Sequence, residues 1–141
     1  MQIVGFNFTK ISSERKKAPE GKIEIKSNID IKNISQEKVD MLKDKDVLKF
    51  DFEFHIDYHP GIALVAFTGF SLVALDKNQS KDILKKWKNK KIEENIRLPL
   101  FNLIMTKCNL KALQLEEDLG LPTHVPMPRL APPQNNQGYV Q

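Results

Sequence analysis

Asp51, Glu53, His55, Asp57 and His59 occupy every second position of one segment. Alternate side chains of an extended strand share a face, about 6.5–7 Å apart along the backbone. His55, Asp57 and His59 could therefore offer two imidazoles and a carboxylate to a divalent cation. A closed site needs a further ligand from a neighbouring strand and outer partners to orient the rings. The only other histidine, His124, lies far along the chain. The same five positions alternate with Phe50, Phe52, Phe54, Ile56 and Tyr58. An amphipathic strand puts polar residues there without any ligand, so no metal or other cofactor is expected.

Catalytic signals are sparse. The chain has neither a glycine-rich phosphate loop nor a nucleophile-elbow pattern. Its one cysteine, Cys108, falls within an apolar helical stripe, where a buried thiol behaves as a small hydrophobe. A single cysteine also excludes an internal disulfide framework and suits a reducing compartment. The expectation is a binding protein rather than an enzyme.

The formal charge of +4 first directs attention to nucleic acid. That charge is concentrated. Residues 77–91 hold seven lysines (77, 81, 85, 86, 88, 90 and 91) and one acid, Asp82, for a local +6; the remainder carries −2. Ile83, Leu84 and Trp87 recur at helical spacing behind Ser80, a good N-cap, so the segment reads as a short helix with lysines outward. Base readout favours arginine, and single-strand binding needs exposed aromatics. This helix has no arginine, and its aromatic, Trp87, lies on the apolar face. A nucleic-acid-binding module using residues 77–91 is the alternative function rather than the first.

The elements that must position these residues follow from periodicity. With 141 residues, 40% hydrophobic and 28% charged, the chain has the composition of a globular domain. No apolar run reaches the ~18–20 residues of a membrane span, and the N-terminus does not read as a secretory signal. A cytoplasmic location and no membrane insertion are expected. Period-2 alternation marks strands over residues 2–11, 22–34 and 48–58, the pattern of an antiparallel sheet with one covered face. His59-Pro60-Gly61-Ile62 predicts a type II turn, returning the chain through Ile62–Leu75. That return strand is apolar on both sides, which predicts cover on both faces.

A long helix is predicted from about Glu93 to Leu119, with Pro99 early in its course and Gly120 and Pro122 ending it. Ile104, Cys108, Ala112, Leu115 and Leu119 form one stripe, and Leu100, Leu103, Leu110 and Leu113 widen it beyond the need of a single sheet contact. That surplus predicts oligomerisation through this helix. Five of the eight prolines fall between residues 122 and 133, so Leu121–Leu130 reads as an extended apolar tail. One domain is expected over residues 1–131, with a flexible polar tail over 132–141.

This order of parts resembles the bacterial export chaperone SecB: four antiparallel strands, a Pro-Gly hairpin, a short helix, a long helix and a proline-rich tail. Ile96-Arg97-Leu98-Pro99-Leu100-Phe101 is similar to that family's apolar-Pro-aromatic entry into its long helix. Leu121-Pro122 and Val125-Pro126-Met127-Pro128-Arg129-Leu130 are similar to its tail. The resemblance implies an α+β fold: a four-stranded antiparallel Greek-key sheet with two C-terminal helices on one face. It implies an ATP-independent holdase for unfolded or non-native polypeptides, acting in protein export as a homotetramer built as a dimer of dimers. Phe101, Leu121, Val125, Met127 and Leu130 would line or border the client groove. Phe6 and Phe8 would serve sheet-edge pairing within a dimer, and Leu103, Ile104, Lys107 and Cys108 would pack dimer on dimer. Asp51, Glu53 and Asp57 would keep the acidic sheet face that docks a translocation motor. The chain departs from the family in its basic pI, in Lys22, Lys26 and Lys32 on the second strand, and in lacking an acidic C-terminal tail.

Overall fold

A computed structural model describes residues 1–38 and 44–132. Most of the polar tail expected over 132–141 lies outside these residues. Four strands, β1 (Gln2–Arg15), β2 (Glu24–Glu37), β3 (Asp46–His59) and β4 (Ala63–Leu75), are followed by α1 (Lys77–Trp87) and α2 (Glu94–Leu119). The fold is α+β. The strands form one antiparallel sheet in the order β1-β4-β3-β2, which is a Greek-key arrangement.

The strands run 13 or 14 residues, well beyond the usual five or six. At about 3.3 Å per residue they extend for roughly 45 Å, and the 26 residues of α2 span about 39 Å at 1.5 Å each. A long sheet beside a long helix is what an elongated groove requires.

The alternation of β3 decides which face is covered. Leu48, Phe50, Phe52, Phe54, Ile56 and Tyr58 are all buried under the helices. Their partners on β4 are graded in size: Phe50 faces Ser71, Phe52 faces Gly69 and Tyr58 faces Ala63. Gly69 makes this possible, because a Cβ there would meet Asn7 O at 2.3 Å and the Phe52 ring at 2.9 Å. Phe6 stacks on Phe52 with centroids 5.3 Å apart, and Phe54 stacks on Phe67 at 5.8 Å. Such pairs contribute about 0.5–1.5 kcal/mol each beyond their area. On the other face of β4, Ala66, Phe70 and Leu72 are half-buried and Leu64 is exposed, so the double cover expected for this strand is incomplete within one protomer.

Two local expectations are corrected. Ser80 does not cap α1: Asp76 does, accepting from the Gln79 N–H at 2.9 Å. Ser80 lies inside the helix, buried, with no hydrogen-bond partner for its hydroxyl among the described residues. The hairpin turn is not the four-residue type II form. Ile62 N–H donates to Tyr58 O across five residues, with Gly61 at φ +57° and a cis His59–Pro60 bond. Pro99 lies early in α2, as expected: the helix starts at Glu94, and the proline sits more than a turn inside. Asn95 carbonyl thereby loses its helical donor, since proline has no N–H. The other end is conventional: Gly120, at φ +64°, caps α2 in the left-handed region and donates back to Glu116 and Glu117 carbonyls.

Candidate functional site

The buried face of α2 is a strict i+4 series: Ile96, Leu100, Ile104, Cys108, Ala112 and Glu116. The sequence-based stripe agrees as far as Ala112 and then diverges. It continued through Leu115 and Leu119, which are half-buried, whereas Glu116 is the residue that turns inward. This row lays α2 chiefly against β4 and β1, while α1 meets β3 and β2. The inner face of β2 is thereby left without a helix along much of its length. Ile25, Ile29 and Ile31 on that face are only half-buried.

The uncovered strip forms a groove of two hollows, both lined by Ile29. The larger part, about 680 Å³, is walled by Ile29 and Ile31 on β2, by Trp87 and Ile92 where α1 leads into α2, and by Phe101 on α2. Lys90, Lys91, Arg97, Asp30 and Glu94 ring its mouth. Two of these cations rest on aromatic faces. Lys90 Nζ lies 4.4 Å from the Trp87 ring centre, and the Arg97 guanidinium carbon lies 4.9 Å from that of Phe101. Lys90 also adopts φ +59°, and it is the one non-glycine residue with positive φ among the described residues. Side chains with a Cβ generally avoid that region.

The smaller part, about 210 Å³, is bounded by Ser27, Asn28 and Ile29 on β2, Phe54 on β3, Met105 and Asn109 on α2, and His124 and Val125 of the tail. Its wall is fixed by a buried polar cluster. The side chains of Glu116 and His124 are 0% and 2% exposed. Tyr58 hydroxyl donates to Glu116, and His124 backbone N–H donates to Glu116 Oε2 at 3.0 Å. His124 Nδ1 lies 3.0 Å from both carboxylate oxygens, and Nε2 lies 2.7 Å from Asn109 Oδ1. One carboxylate thus ties the hairpin end of β3, the last turns of α2 and the tail together. Burial, with the neighbouring carboxylate, raises the Tyr58 phenol well above its ordinary range and holds it in the donor form.

Of the residues expected in the groove, Phe101 and Val125 line it. Met127 and Leu130 are exposed beyond it, Leu130 by 83%. Leu121 is buried in the core instead and does not face the groove. Among the residues expected between copies, Phe6 and Phe8 are half-buried on the edge strand β1, and Leu103 and Lys107 lie on the outer side of α2. Ile104 and Cys108 are 0% exposed and face their own sheet, so neither side chain can reach a second copy. Burial pushes the Cys108 thiol up to about 12, which makes it a poor nucleophile.

The outer face of β3 carries Asp51, Glu53, His55, Asp57 and His59 as the alternation requires. Each of the three acids has a basic neighbour: Lys49 at 3.9 Å from Asp51, Lys32 at 3.5 Å from Glu53 and His55 at 3.6 Å from Asp57. Among the described residues no three histidine, cysteine or carboxylate side chains converge as a metal site would need. No helix of the described residues is long and apolar enough to cross a membrane.

Residue patterns alone did not reveal Ile29, Ile31 and Ile92 as groove walls, nor the Tyr58–Glu116–His124–Asn109 cluster. The i+4 row from Ile96 held the signal for Glu116, since an acid at the sixth position of a buried series must find internal partners.

No protein-family model matches the chain, and no curated protein matches it. Among solved structures, a SecB-like chaperone of Mycobacterium tuberculosis in complex with a peptide from an antitoxin matches over 94% of this chain and 92% of its own. The identity is 13% and the TM-score 0.48. At that distance the match assigns nothing, and the case for function rests on this chain's own residues.

Proposed function

We propose that this protein is an ATP-independent holdase, SecB-like in its mode of action, that binds unfolded or non-native polypeptide. The observation that supports this reading most is the groove along β2. It combines apolar walls with a charged mouth, and it borders an edge strand that is unpaired on its outer side among the described residues. An unfolded segment offers apolar side chains and unsatisfied backbone groups together, and a groove beside a free strand edge meets both needs. Phe101 and Val125 would contact the client directly, with Met127 and Leu130 extending the surface beyond the groove.

In this reading the protein works as a homotetramer, a dimer of dimers. Edge strand β1 would pair within the dimer beside Phe6 and Phe8. The outer side of α2, with Leu103 and Lys107 beside the exposed Leu110, would pack dimer on dimer. Handover to a translocation motor in the cytoplasm would use Asp51, Glu53 and Asp57. The basic neighbours of those acids weaken that surface as a purely acidic dock.

The competing reading places nucleic acid on the lysines of α1. It is favoured by Lys77, Lys81, Lys85 and Lys88, which are exposed and have no acidic partner within 4 Å among the described residues. It is disfavoured by Trp87, whose ring is covered by Lys90 rather than open to a base.

The test is light scattering from an aggregating client during refolding, without nucleotide. Suppression at or below one tetramer per client is expected. Undiminished aggregation at several-fold excess, with a gel shift on single-stranded DNA at ~50 mM salt, would replace this reading by the competing one.

A further inference from the structure

Resting on the groove as a polypeptide site, we infer that it selects extended segments in which acidic side chains flank apolar or aromatic ones. The mouth of the larger cavity carries three cations, Lys90, Lys91 and Arg97, against two acids, Asp30 and Glu94. Glu94 is paired with Arg97 at 3.2 Å, and Asp30 accepts from the neutral amide of Asn28 at 3.0 Å and keeps its charge, which leaves the mouth at +1. Lys90 and Lys91 have no acidic partner within 4 Å among the described residues. Lys85 in the last turn of α1 and Lys88 at its C-cap are exposed as well.

Lys90 is the most informative of these. Its backbone sits at φ +59°, where glycine or asparagine is the ordinary occupant. Its ammonium is held 4.4 Å over Trp87, the ring that forms the groove wall. An aromatic face positions a cation but leaves its other donors free. The result is a fixed positive charge at the rim of an apolar slot, with capacity to bond a carboxylate.

Extended geometry follows from the wall opposite. Ile29 and Ile31 are neighbours on one face of β2, and the strand's outer N–H and C=O groups are unpaired among the described residues. A segment extended along the groove beside that edge turns apolar side chains to the inner face of the sheet, between Ile29, Ile31, Trp87 and Phe101. Side chains flanking that apolar stretch lie at the mouth, where Lys90 and Lys91 attract an acid and repel a base.

The experiment uses the full chain and three 14-residue peptides with the same central stretch of Phe and Leu. The flanking residues are Glu in the first, Ser in the second and Lys in the third. Trp87 is the chain's only tryptophan, so its emission reports binding without a label. At ~50 mM salt the Glu peptide is expected to bind about three- to tenfold tighter than the Ser peptide, and the Lys peptide weakest. Raising salt to ~500 mM should compress the series.

The double variant Lys90→Gly with Lys91→Ser removes the charges while placing glycine where φ is positive. It should keep the unfolding midpoint and lose the preference for the Glu peptide. Equal binding by the unaltered protein, or preference for the Lys peptide, overturns the inference while leaving the groove itself intact. Displacement of the Glu peptide by a single-stranded oligonucleotide of equal charge, at lower concentration, overturns it in favour of a phosphate site. Failure of all three peptides to perturb Trp87 in folded protein would remove the groove reading together with this one.

Discussion

The two ends of the groove are built in opposite ways. At the Trp87 end the walls are half-buried rings and isoleucines, the rim is a set of cations, and the polar contacts lie at the surface. At the His124 end a fully buried carboxylate binds a phenol, an imidazole and a backbone N–H from elements as far apart in sequence as β3 and the tail. Surface contacts of the first kind are individually weak and can be exchanged for contacts to a client. A buried network of the second kind is costly to break, because each lost partner leaves another polar group unsatisfied. One end is thus suited to adapt to different segments, and the other to hold the tail and the groove wall in place.

This contrast can be broken by substitution. Glu116→Ala strands Tyr58, His124 and the His124 N–H together, and it should lower stability by about 3–5 kcal/mol. Urea unfolding would show this as a fall in midpoint, and proteolysis should cut the tail first. A change below about 1 kcal/mol would mean that the cluster does not anchor the tail. Tyr58→Phe removes one donor and keeps the ring, and a loss of about 1–2 kcal/mol is expected by the same measurement.

At the open end the expected effect shifts from stability to binding. Phe101→Ala removes a half-buried ring, so the unfolding midpoint should move by about 1 kcal/mol or less, while the protein needed to suppress client aggregation rises several-fold. A large stability loss with unchanged suppression would invert the comparison.

The smallest effect concerns Cys108, beneath the middle of α2. Its thiol is raised from 9.0 to about 12 by burial. The unfolded thiol therefore ionises first, so this contribution to stability is complete below pH 9 and is lost as pH rises towards 12. At pH 8 a thiol-disulfide reagent should react with native protein at the rate of unfolding rather than at that of a free thiol. Rapid reaction would place Cys108 at the surface.

Much of the sheet was legible in the sequence because its signal is local. The alternation of residues 48–58 needs only one covered face to be interpreted, and the structure extends the same pattern to Asp46–His59. The end of α2 was equally legible, since Gly120 supplies the positive φ that a helix stop requires. The groove was not legible, because it is a gap. Its walls are residues whose apolar periodicity reads as core, and whether Ile29 is covered depends on where α2 lies across the sheet. For the same reason Ile104 and Cys108 were assigned to contacts between copies: an apolar stripe does not state which of two apolar surroundings it faces. Glu116 was missed because partners such as Tyr58, 58 residues earlier in the chain, leave no mark at short spacing.

The central claim is that non-native polypeptide occupies the groove beside β2. Amide hydrogen exchange of the full chain, with and without a permanently unfolded client, tests this most directly. The account predicts slowed exchange in β2 around Ser27–Ile31, through residues 87–101 and at His124–Val125. The central strand β4 around Thr68–Leu72 should be unchanged. Protection confined to the lysine face of α1, or absent from β2 at saturating client, would contradict it.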